Sequence, residues 1–249
     1  MRVSHDVSVY NEATGFSLHP RGMGGFTRSD FDEDLPRFVR EGLVVPLELV
    51  QDDSILVRVV IGDLTPAEEE EWVGRVEGRL KIPCGSLAVE GGLDPRTEDD
   101  DDFVEFVDVP PGDYRVEIFT YLHGINGDYC LDEVNDEPLG VWFRRTRPDE
   151  EMPVWLKLTL ADEPDEDPGF EDTWAEYEDY LGNLPREEYD LLHEENVMVD
   201  FVVRLTPLEG DEPELAVDED GWFAIDTGAR KPERFPLGIP YEGPLEDDE

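Results

Sequence analysis

One stretch, Val107–Gly124 (VDVPPGDYRVEIFTYLHG), constrains the fold more than any other part of the chain. Val109-Pro110-Pro111-Gly112-Asp113 reads as a turn, because proline holds φ at about −65° and glycine supplies the positive φ that closes many such turns. A strand must follow. Tyr114, Val116 and Ile118 fall on one side and Arg115 and Glu117 on the other, the period-two pattern of a half-buried antiparallel strand.

Strand signals recur on both sides of this stretch. Val3–Leu18 reads as one or two short strands, and Leu43–Val50 and Ile55–Ile61 as two more joined by a hairpin turn at Gln51-Asp52-Asp53-Ser54. Arg79–Ile82 and Leu87–Val89 flank a bend at Pro83-Cys84-Gly85, and Phe103–Val107 leads into the central turn. In the second half, Leu139–Arg145, Val154–Leu160 and the mostly apolar Val197–Leu205 read as strands, and Gly127–Pro138 as a polar loop. VRVVIGDLTP and VDFVVRLTPL are faintly alike, either as related units or as chance likeness between strand-rich pieces.

Helices are fewer. Asp34–Gly42 carries a cap at Asp34, Pro36 in its first turn and Gly42 just past its end. Leu64–Val76 has the clearest start, with Thr65 as N-cap, Pro66 at the first helical position and Glu68 completing a capping box. Its four glutamates, Glu68–Glu71, read as a solvated helix start, since successive helix positions diverge and cannot converge on a metal. Thr173–Leu181 and Pro185–Glu195 are further helix candidates, after an acidic, proline-containing linker at Asp162–Asp172. The last 40 or so residues are expected to wrap the surface, with Glu246–Glu249 disordered.

Charge restricts function more than any motif does. Asp and Glu number 65 against 20 Lys and Arg, a net charge of −45. Such a field repels nucleic acid and anionic lipid, which excludes both as direct partners and points to basic proteins or cations. Salt adaptation is the competing explanation, because only Lys81, Lys157 and Lys231 stand beside the arginines. The 39% hydrophobic content, with five Trp, eight Tyr and 12 Phe, argues for a packed core.

No cofactor or metal is expected. His5, His19, His123 and His193 have no zinc-ligand spacing, Asp218-Glu219-Asp220-Gly221 lacks the remaining ligands of a calcium loop, and Arg21–Gly25 is a loop without a phosphate-binding motif. Arg144, Arg145 and Arg147 form the basic cluster, read as internal charge pairing. Cys84 and Cys130 are expected as buried, reduced thiols, with one disulfide the alternative. No nucleophile motif is present, and the expectation is a protein that is not an enzyme. No apolar leader or long apolar window occurs, so a cytoplasmic protein is expected.

The order of features in the first half resembles the competence protein J family, small acidic inhibitors of a DNA-entry nuclease. The likeness is carried by SHDVSVYNEATGFSL, FVREGLVVPLELV, ILVRVVIG, RLKIPCGSLAVEG and FVDVPPGDYRVEIFTY, and runs to about Leu122. It implies a β-sandwich-like fold and a stoichiometric protein-binding role. Residues 126–249 have no counterpart in that family.

The expectation is therefore a mainly β, antiparallel sandwich with a few short helices, organised as 1–125 and an acidic β-rich 126–249 that is a second domain or part of the same globule. Function is expected to be the masking of a basic partner such as a nuclease or toxin, by an inhibitor or immunity protein. Asp99, Asp100, Asp101, Asp102 and Glu105 are its candidate contact residues. A structural or assembly protein whose acidity is solvation is the alternative, and an unrecognised enzyme the third.

Overall fold

A computed structural model of the chain describes residues 2–11, 15–23, 28–50, 54–91, 103–132, 134–162, 197–210 and 213–243. The candidate residues Asp99–Asp102, the helix candidates Thr173–Leu181 and Pro185–Glu195, most of the acidic linker and Glu246–Glu249 lie outside them.

Two five-stranded sheets form the body. The first runs in the order β1 (Val3–Tyr10), β4 (Ser54–Ile61), β9 (Phe201–Pro207), β8 (Gly112–Thr120), β5 (Gly74–Ile82). The second runs β10 (Phe223–Ala224), β3 (Val45–Glu48), β2 (Gly15–Pro20), β6 (Ser86–Gly91), β7 (Val104–Asp108). They pack face to face: Phe16 of β2 meets Phe201 of β9 at 5.2 Å between ring centroids. Gly78 of β5 leaves room for Val45 and Phe223, each of which would lie 3.3 Å from a Cβ placed there. Alternation sorts the central strand as expected, with Tyr114, Val116 and Ile118 in the sandwich core.

The sheets are mixed rather than wholly antiparallel. β4 pairs with β9 in parallel, through Arg58↔Val202, and β10 pairs with β3 in parallel. A parallel neighbour needs a long crossover, and the chain between Ile61 and Phe201 supplies it. The two look-alike segments are thus adjacent strands.

Turn expectations are corrected at two places. β3 and β4 belong to different sheets and so are not paired as a hairpin; each strand finds two neighbours within its own sheet, and Gln51–Asp53 lie outside the described residues. The bend expected at Pro83-Cys84-Gly85 is present and carries the chain from β5 in one sheet to β6 in the other. Gly112 opens β8, and the positive φ nearby belongs to Gly85 (75°), packed against Pro111. The Tyr114 hydroxyl secures the turn by donating to the Pro110 carbonyl.

The largest correction concerns residues 125–162. Gly127–Pro138 holds a helix, α3 (Ile125–Asp132), and both expected strands after it are helices, α4 (Leu139–Thr146) and α5 (Val154–Asp162). In α4 the buried Trp142 and Phe143 share a face while Val141, Arg144 and Arg145 point outward, a helical stripe hidden within β-prone residues. The strand-favouring threonines settle by donating to the carbonyl one turn back, Thr146 to Trp142 at 2.9 Å and Thr159 to Trp155 at 3.0 Å.

Helices α1 (Arg28–Glu41) and α2 (Pro66–Glu70) complete the fold. α1 starts earlier than expected and holds Pro36 inside, where the ring removes one intrahelical N–H bond; Gly42 ends it in the left-handed region at φ 70°. α2 keeps its capping box but is cut short, because Val73 donates to the Thr120 carbonyl at 2.8 Å and β5 captures the chain.

Glu69 and Glu70 are exposed, as a solvated helix start requires, but Glu68 and Glu71 are drawn inward. Glu68 is 0% exposed. Its carboxylate accepts from Arg2 at 2.6 and 2.7 Å, from the Thr65 N–H at 2.8 Å and from Arg58 at 3.4 Å. Arg58 in turn donates to Asp6 at 2.7 and 2.6 Å and to the Pro240 carbonyl at 2.7 Å. Burial pushes the Glu68 carboxyl up, yet Arg2 and the Thr65 groups outweigh it and hold it below the usual carboxylate range. Glu71 anchors the C-terminal segment, accepting from the Leu237 and Gly238 N–H groups at 2.8 and 3.1 Å.

Candidate functional site

The only sequence-predicted contact residue within the described chain is Glu105, on β7 at an edge of the second sheet. Its neighbour Phe106 is 41% exposed, and the Arg21 guanidinium lies 4.3 Å from its ring centroid. Beside them, β1 and β7 border a recess of about 510 Å³ whose lining includes His5, Asp6, Asp108 and Glu242.

The larger concavity was not read from the sequence. It is a cleft of about 810 Å³ where the chain leaves β8 and folds into α3, α4 and α5. Leu122, Leu131, Leu139 and Leu160 line it with apolar surface, and Asp128, Asp132, Asp136 and Glu137 with carboxylates. On α3, Ile125 and Tyr129 form one stripe and Asp128 and Asp132 the next, each pair spaced one turn apart. Ile125 is 61% and Tyr129 41% exposed. The i, i+4 spacing was the available signal, masked by Asn126, Gly127 and Asp128, which favour turns.

Local contacts hold the cleft in shape. Asn126 accepts from the Val50 N–H at 3.0 Å, tying α3 to the end of β3. Gly127 sits so near the end of β8 that a Cβ would lie 2.0 Å from the Tyr121 carbonyl oxygen. Gly127→Ala is accordingly expected to cost about 1–3 kcal/mol, by forcing α3 away from that backbone; thermal melts check it, and an unchanged Tm would show that α3 has room to shift.

Charges within the cleft are unevenly matched. Glu137 accepts from Arg145 at 2.8 and 2.6 Å and from Lys231 at 2.9 Å, and these two cations hold its carboxyl down at about 2. His123 Nε2 lies 3.1 Å from Asp200 Oδ1, while Asp200 Oδ2 accepts from the Leu56 N–H at 2.7 Å. Nε2 therefore carries the donated proton, which makes Nδ1 of a neutral ring an acceptor. Nδ1 is buried and has no hydrogen-bond partner among the described residues.

The basic cluster is internally paired, as expected: Arg145 with Glu137, and Arg147 with Glu150 at 2.7 Å and Glu71 at 3.4 Å. Among the described residues no group of three His, Cys, Asp or Glu is placed to hold a metal ion, and no helix is long and apolar enough to cross a membrane. Both cysteines are free. Cys84 is exposed, contrary to expectation, because its bend passes between the sheets at the surface; Cys130 is buried, which pushes its thiol up to about 12.

The described architecture is that of a two-sheet β protein with short helices and an acidic cleft. No family model matches the chain, and no curated protein matches it in sequence. Among solved structures, one described as "Crocagin biosynthetic gene J" is similar over 84% of this chain and 99% of its own, at 14% identity and a TM-score of 0.41. A second is ComJ from Bacillus subtilis, an inhibitor of the DNA degrading activity of NucA. It is similar over 49% of this chain and 85% of its own, at 10% identity and a TM-score of 0.35. The family named from the sequence resemblance is thus among those whose structures the chain is similar to.

Proposed function

We propose that the protein is a cytoplasmic masking protein, an inhibitor or immunity protein that binds a basic protein such as a nuclease or toxin. The carrying observation is how the fold uses its few cations. Arg2 and Arg58 are engaged by Glu68 and Asp6, Arg75 by Glu77 and Glu117, Arg147 by Glu71 and Glu150, and Lys231 by Glu137. With 20 basic residues against 65 acidic ones, the unmatched charge is carboxylate, and it competes well for a cationic groove.

In this reading Asp99–Asp102, together with Glu105 on the edge strand β7, are the residues that contact the partner. Changing the four aspartates to Asn and Glu105 to Gln is expected to slow association about tenfold at low salt and to flatten its salt dependence. Stopped-flow association at several ionic strengths tests this; rates equal to wild type would remove the loop from the interface. The function itself is tested by affinity capture from host lysate at low salt with elution on a salt gradient. One basic protein retained in stoichiometric amount is expected, whereas a broad smear of cationic proteins would reduce the charge to solvation.

A further inference from the structure

We propose that the cleft between α3, α4 and α5 is the groove in which the basic partner docks a cationic amphipathic segment, its apolar side on the leucine floor and its lysines or arginines on the aspartate rim. This rests on the masking function above and names a surface for it.

Three observations converge on the groove. The first is shape and polarity: a concavity of about 810 Å³ with Leu122, Leu131, Leu139 and Leu160 inside and Asp128, Asp132 and Asp136 around them. An apolar floor within a single-sign rim matches a helix-in-groove mode of recognition. The second is the exposed pair Ile125, which lines the cleft, and Tyr129 one turn further along α3, where a scattered surface hydrophobe would need no explanation. The third is His123. It lines the cleft, and its Nδ1 has no hydrogen-bond partner among the described residues.

Charge selects this occupant over two others. A second copy of the chain brings another net −45 and is repelled. Residues 163–196 of the chain leave from the end of α5, but they carry 14 carboxylates and one arginine, so the rim disfavours them as well.

The test uses the full-length protein and a fluorescein-labelled leucine–lysine peptide with leucines at helical spacing, beside a scrambled peptide of equal composition. Fluorescence anisotropy should show the patterned peptide binding at least tenfold more tightly than the scrambled one. Asp132→Lys with Asp136→Lys should weaken it about tenfold, while Glu219→Lys with Asp220→Lys, equal in charge and placed on the turn beside Gly221, should change it less than twofold. The milder Asp132→Asn with Asp136→Asn should move in the same direction, which guards against a folding defect in the reversal.

Hydrogen exchange should show residues 125–132 gaining protection when peptide is bound. Equal binding of both peptides, equal weakening by both charge reversals, or exchange protection elsewhere would overturn the groove. So would protection of 125–132 in the free protein unchanged by peptide, which assigns the cleft to the chain's own residues, or a dimer in sedimentation that Tyr129→Glu dissolves. A basic protein captured from lysate and held equally by Asp132→Lys/Asp136→Lys overturns the groove and leaves the masking function standing. A groove that takes the peptide while lysate yields no stoichiometric basic protein does the reverse.

Discussion

Arg58→Met is expected to cost about 3 kcal/mol of stability, because it strips the shared cation from a buried charge network, and to lower Tm by roughly 10 °C in a chain of this size. Arg58 is 6% exposed and joins four parts of the molecule: Asp6 on β1, its own strand β4, Glu68 on α2 and the Pro240 carbonyl of the C-terminal segment. Removing it leaves Asp6 buried with only the Glu242 N–H, and leaves Glu68 dependent on Arg2. Burial of an uncompensated carboxylate supplies most of the loss.

Arg58→Lys should lose less, keeping the charge but not the two-pronged geometry. Pairing Arg58→Met with Asp6→Leu should recover part of the loss, since the orphaned carboxylate goes too. The network also sets a pH signature. Glu68 is held below the usual carboxylate range, so its contribution is complete above the unfolded value of about 4.3 and disappears as pH falls through its folded value. Denaturant titrations of wild type and Arg2→Met should therefore differ most near neutrality and converge in acid, because Arg2 is the cation that holds that carboxyl down. A gap that stays constant down to pH 3 would mean that lost side-chain packing, not charge, sets the cost.

Phe235→Ala is the second large effect, at about 3–5 kcal/mol. Phe235 is 0% exposed and is the plug between the C-terminal segment and two helices. Its ring lies edge-on to Trp142 at 4.9 Å and to Phe143 at 5.5 Å, and stacks on Trp155 at 5.8 Å. Its backbone is held as well: the N–H donates to Thr146 Oγ1 at 3.0 Å, and the carbonyl accepts from Arg147 Nε. Truncation empties the centre of this cluster and frees the segment that Glu71 holds at Leu237 and Gly238. Phe235→Leu should lose only a fraction as much, because most of the volume stays. Trp142 and Trp155 report directly, and their emission should shift to the red in the alanine variant. Unchanged emission with an unchanged melt would show that the helices hold together without the plug.

Much of the sandwich was legible because period-two alternation survives wherever one strand face meets the core and the other a different environment. Tyr114, Val116 and Ile118 declared their face in this way, and the capping box at Thr65 and Glu68 declared the start of α2. The helices α4 and α5 were not legible: Val141, Trp142, Phe143, Val154 and Trp155 are β-prone types, and only packing around Phe235 makes a helical stripe of them. The acidic cleft stayed hidden for a related reason. Asn126, Gly127 and Asp128 carry turn signals, while Asn126 in fact bonds Val50, far along the chain, and Gly127 lies against the Tyr121 backbone.

Composition and local pattern alone determined the sign of the field, the β class and most strand positions, since each follows from residues within one turn or one strand of each other. Which sheet a strand joins was decided only in three dimensions. β3 and β4 follow one another and separate, whereas β9 comes from the far half of the chain and inserts between β4 and β8. Tertiary structure likewise turned Glu68 from one of four consecutive carboxylates into the buried partner of Arg2 and Arg58. Charge is a property of the residue, but whether it faces water or a guanidinium depends on what the rest of the chain brings against it.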